Sequence, residues 1–99
     1  MQVSMKTLLL DFVKKHPAAK VKVLPWLKVM EACNAQNLSE LKQTFNSADY
    51  VPKTYTVFNV GGNNYRIVAQ VFYGTQQVNV QFVGTHAEYD KWSKENRKK

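Results

Sequence analysis

Apolar residues recur at helical spacing in the first half of this chain and at strand spacing in the second. From Met5 onward Leu8 stacks over Phe12 and Leu9 over Val13 at i, i+4, the apolar face of a helix. His16-Pro17 ends it, because a residue before proline is pushed out of the α region. A second helix is expected from near Ala18 towards Cys33, turning Val23, Trp26, Leu27 and Met30 inward. Pro25 lies within that pattern and has no backbone donor, which predicts either a kink or a start of the regular helix at Pro25 itself. Asn37 and Glu40 have N-cap and N3 spacing ahead of a short third apolar face, Leu38, Leu41 and Phe45.

After the turn residues Asn46-Ser47-Ala48-Asp49 and the helix-breaking Pro52 the period becomes two. A strand from about Tyr55 to Val60 turns through Gly61-Gly62-Asn63-Asn64, residues that accept the positive φ of a hairpin. The next, Tyr65 to Tyr73, sets Tyr65, Ile67, Ala69, Val71 and Tyr73 against Arg66, Val68, Gln70 and Phe72. Beyond Gly74-Thr75-Gln76, a third strand is predicted to place Val78, Val80 and Phe82 opposite Asn79, Gln81 and Val83. Met1 to Ser4 is a candidate for one more short strand. The expectation is an α+β fold forming one domain over residues 1–99. A small antiparallel-rich sheet would carry the N-terminal helices on one face and a short C-terminal helix, with the other face available to a ligand.

Charge changes the picture. Fourteen Lys and Arg against seven Asp and Glu leave a formal +7, a balance suited to polyanionic partners. Lys91, Lys94, Arg97, Lys98 and Lys99 concentrate that surplus at the end of the chain. The single Cys33 excludes an internal disulfide and fits a reducing cytosol. One cysteine and two distant histidines form no metal cluster, so neither metal nor cofactor is expected. The run Leu8-Leu9-Leu10, broken by Asp11, is too short for a membrane span, and a cytoplasmic protein is expected.

The pattern turns helical again at Thr85-His86-Ala87-Glu88, which has capping-box form. His86 takes the first helical position, with Tyr89 and Asp90 at i+3 and i+4 on its face. A helix N-terminus disfavours imidazolium and a nearby Asp90 favours it, and these opposing influences suit a proton-transfer group. A half-exposed surface histidine is the plainer alternative. Cleavage of RNA by its own 2′-hydroxyl needs a base, an acid and cations for the phosphorane. His86 fits the proton transfer, Arg66 and Lys53 the charge, and Tyr89 a hydrogen bond or a stacked base, while Lys91, Lys94 and Arg97 could grip the RNA backbone.

HPAAK at 16–20, LSELKQTFNSADYV at 38–51, VFNVGGNNYRIVAQVFY at 57–73 and FVGTHAEYDKW at 82–92 together resemble the HigB toxins of type II toxin–antitoxin modules, mRNA interferases of the RelE-like superfamily. The resemblance implies a RelE-like microbial ribonuclease fold and metal-independent cleavage of mRNA on the ribosome. It also implies neutralisation by a cognate antitoxin, often a helix-turn-helix protein of HigA type through which alone the toxin reaches operator DNA. The motif match carries Arg66, His86, Tyr89 and Asp90 over as site residues. Gln2, Gly61, Asn64 and Gln81 stand where related chains often have basic residues, each removing a potential phosphate contact. That loss sustains a second reading, a non-catalytic RNA- or ribosome-binding module of the same fold. A third is an interaction domain whose basic surface binds an acidic protein.

Overall fold

The computed structural model describes residues 1–51, 55–62 and 64–97. In chain order the elements are β1 (Gln2–Ser4), α1 (Lys6–Lys15), a 3₁₀ turn (Pro17–Ala19), α2 (Lys20–Ala32), α3 (Leu38–Thr44), β2 (Asp49–Val51), β3 (Tyr55–Val60), β4 (Tyr65–Phe72), β5 (Gln77–Thr85) and α4 (His86–Arg97). The strands form one sheet in the order β1-β5-β4-β3-β2. All neighbours are antiparallel except β1, which runs parallel to β5 through Gln2↔Gln77 and Ser4↔Asn79. This is the expected α+β architecture, with the candidate N-terminal strand realised as β1.

One face of the sheet carries α1, α2 and α3. Leu9 and Phe12 of α1, Val23, Trp26 and Met30 of α2 and Leu41 of α3 pack with Phe58, Val60, Ile67, Ala69, Val78 and Val80. Trp26, Phe45 and Phe58 meet edge to face or tilted at 5.2–5.9 Å, the geometry that sets positive ring edges on negative faces. Asn37 caps α3 as its spacing predicts, its Oδ1 accepting from the Glu40 amide at 2.9 Å. The Glu40 carboxylate reaches one residue past the cap, to the Gln36 amide at 2.8 Å. α2 does not start at Pro25 but runs through it from Lys20. Burial of Val23, Trp26 and Met30 outweighs the loss of one hydrogen bond, a penalty of about 3 kcal/mol.

Three features differ from the sequence reading. Asp49–Val51 form a short edge strand, β2, where only turn chemistry was legible. Between β4 and β5 Val68 faces Phe82 while Ala69 faces Val80, so Gln81 is an extra, bulged residue. A slip of one residue exchanges faces, so Val83 rather than Phe82 joins Val78 and Val80 against the helices. The face expected to be free is in part covered, because α4 returns across it. Tyr89 and Trp92 pack there with Tyr55, Val57, Val68 and Phe82. Among the described residues no helix is long and apolar enough to cross a membrane.

Candidate active site

The site is built where β5 becomes α4. The capping box closes in both directions: the Thr85 hydroxyl accepts from the Glu88 amide at 3.2 Å, and the Glu88 carboxylate accepts from the Thr85 amide at 2.8 Å. The His86 amide donates to the carbonyl of Asn64 at 3.1 Å, tying the first residue of α4 to the β3–β4 hairpin. That hairpin turns through Gly61 and Gly62 at φ +65° and +68°, a backbone region costly for residues with a Cβ. The helix start therefore has few ways to move.

From this start the His86 side chain reaches down its own face to Asp90, with Nε2 3.6 Å from Oδ2. Both are more than half exposed, at 55% and 57%. The imidazole is thus open to a ligand from solvent and not sealed under packed hydrocarbon. At 3.6 Å the carboxylate is an electrostatic partner that orients the ring rather than a tight hydrogen-bond acceptor.

Arg66 sits directly across the sheet from Gly84, two residues before His86. Alternation along β4 puts it on the face with Val68, the face that α4 covers, at the end where α4 begins. It is only 8% exposed, and its Nη1 donates to the carbonyl of Tyr65 at 3.2 Å. Backbone register therefore sets the positions of Arg66 and His86, both named from sequence, at the same end of the sheet. The Arg66 guanidinium is buried there and the His86 imidazole is exposed.

The remaining predicted residues separate. Tyr89 is half-buried, its ring stacked with Trp92 at 6.2 Å and 26°, so the ring itself is packing. Lys91 and Lys94 lie exposed along α4. Arg97 is the last residue of α4; its side chain and Lys53 lie outside the described residues. Tyr55 of β3 and Tyr65 of β4 pack edge to face on Trp92 and Phe12. Tyr73 is half-buried near Cys33, where burial raises its phenol above the ordinary value and the Cys33 charge adds to the rise. Among the described residues no group of three or more His, Cys, Asp and Glu comes together.

Sequence reasoning passed over Gly84. A Cβ there would meet the Phe82 ring at 2.6 Å and the Glu88 Cβ at 3.1 Å. The bare glycine lets the Phe82 ring lie along its own strand and stack at 5.5 Å on Trp92, which seats α4. A glycine immediately before a capping box, at a strand end, is the signal that marks such a close approach.

With this geometry in hand, comparison with known proteins decides the family. The model of the family described as HigB_toxin, RelE-like toxic component of a toxin-antitoxin system, matches residues 19–92. The chain belongs to the HigB toxin family. It is 36% identical over 92 residues to the mRNA interferase toxin HigB of Escherichia coli (strain K12), covering 90% of this chain and 88% of that protein. The mRNA interferase HigB of Shigella flexneri matches to the same extent. The mRNA interferase HigB of Escherichia coli O6:H1 is 29% identical over 84 residues, 82% of this chain and 81% of that one. The HigB match includes every element from α2 to the Trp92 anchor of α4 and so contains the whole corner around His86.

Proposed function

We propose that this HigB-family toxin is an endoribonuclease that cleaves mRNA engaged on the ribosome, by attack of a 2′-hydroxyl on the adjacent phosphate without a metal. The base removes the 2′-hydroxyl proton as that oxygen bonds to phosphorus. The bond to the 5′-oxygen breaks, and that oxygen takes a proton from the acid, leaving a cyclic phosphate and a free 5′-hydroxyl. His86 is the proton-transfer group, oriented by Asp90. Arg66 stabilises the extra negative charge of the phosphorane from its buried position, where restricted solvent makes a fixed cation more effective, and Lys53 adds to it. Tyr89 supplies its hydroxyl, its ring being occupied by Trp92. Lys91, Lys94 and Arg97 hold the RNA backbone along α4.

The observation that carries this reading is the solvent-open His86–Asp90 pair at a capped helix start, two residues beyond the strand position that pairs with Arg66. The HigB relatives of Escherichia coli and Shigella flexneri, mRNA interferases by name, support the same substrate class. The test is to map cut ends on mRNA in a translating extract with and without the protein. New ends inside reading frames, lost when translation is blocked and carrying a cyclic phosphate and a 5′-hydroxyl, support the proposal. An arrest of translation with no new ends would leave only the RNA-binding module.

A further inference from the structure

α2 presents an apolar stripe to solvent. Its inward face is taken by Val23, Trp26 and Met30. On the opposite face, at i, i+4 and i+8, stand Val21, Pro25 and Val29, all exposed, Val21 at 71% and Val29 at 44%. A surface helix ordinarily carries polar side chains there, and a run of exposed aliphatic residues marks a contact surface. Lys22 and Lys28 are exposed, one on each side of the stripe. The helix's one carboxylate, Glu31, is engaged by Lys6 at 2.5 Å and leaves their charge in place.

We propose that this outer face of α2 is where the cognate antitoxin docks, with an amphipathic helix whose apolar face covers the valines and whose flanking carboxylates meet Lys22 and Lys28. Membership of a toxin–antitoxin family implies the partner, so the proposal rests on the family and not on the role of His86. The surface selects its occupant. RNA gains little from small aliphatic side chains, which neither stack on bases nor read their edges. A second copy of this chain would bring the same lysines together across a two-fold axis, between two molecules each at +7. An acid-edged helix buries the valines and pairs the lysines at once. α2 packs on the sheet face opposite the one that takes Tyr89 and Trp92 of α4.

The experiment titrates the cognate antitoxin against the full protein by calorimetry. A Val21→Asp/Val29→Asp double variant is expected to raise Kd by at least about tenfold, about 1.4 kcal/mol. Lys28→Glu should raise it severalfold, and Lys42→Glu on α3 should leave it unchanged. Circular dichroism checks folding. Should the double variant not fold, amide exchange of the wild-type chain over residues 20–32, slowed by the antitoxin, reads the same contact. Unchanged Kd together with unchanged exchange overturns the proposal. So does a free chain that dimerises through this face and loses its dimer in the double variant. Weakened antitoxin binding beside normal cleavage by His86→Ala would contradict the catalytic assignment alone.

Discussion

The amide of His86 donates to the carbonyl of Asn64 at 3.1 Å, so the residue that opens α4 is anchored to the hairpin leading into β4 and Arg66. Two residues far apart in sequence thereby share one rigid corner. The capping box adds a second restraint, and together they fix the backbone beneath the imidazole before any substrate arrives.

That restraint is open to test at Thr85. Thr85→Ala removes the hydroxyl that accepts from the Glu88 amide and should lower stability by about 1 kcal/mol, read from urea unfolding. Cleavage should fall with it, because the start of α4 frays under His86. Thr85→Ser keeps the acceptor and should restore both. Full activity in Thr85→Ala would separate the cap from the chemistry.

Gly84 tests how α4 is seated. Gly84→Ala drives a methyl group into the Phe82 ring and the Glu88 Cβ, and overpacking of this kind costs roughly 1–3 kcal/mol. The indole fluorescence of Trp92, stacked on that ring, should shift in the folded variant. A variant as stable as the parent, with unchanged emission, would show that the ring moves aside freely.

Much of this was legible from residue order. The hairpin glycines, the Asn37 cap and the Thr85–Glu88 box are local features, each written into a few adjacent residues, and each forms as its chemistry dictates. What escaped is non-local. Val78, Val80 and Phe82 alternate without a break, and only pairing with β4 reveals that Gln81 bulges and sends Phe82 to the other face. Asp49-Tyr50-Val51 is too short to show a period and becomes a strand by joining the edge of β3. Likewise α4 is mostly polar, and Tyr89 and Trp92 are enough to hold it against the sheet.

Alkaline pH offers a third test through Tyr73. Burial, with the Cys33 charge adding to it, raises this phenol above its value in the unfolded chain. Its contribution to stability is whole below the unfolded pKa of about 10 and is lost as pH rises from there through the folded value, because the unfolded chain releases the proton first. Urea midpoints measured from pH 9 upward should fall less steeply for Tyr73→Phe than for the parent. Identical slopes would place the phenol in a solvent-like setting.

His86 carries the account. Because its side chain is 55% exposed, His86→Ala should leave the urea midpoint within error of the parent, so a change in activity reports on chemistry and not on folding. The decisive measurement is the rate at which cut mRNA ends appear in a translating extract, parent against His86→Ala at equal concentration. The account predicts a loss of roughly a hundredfold or more, the scale of general acid–base catalysis. A His86→Ala protein that cuts at the parent's rate would contradict it.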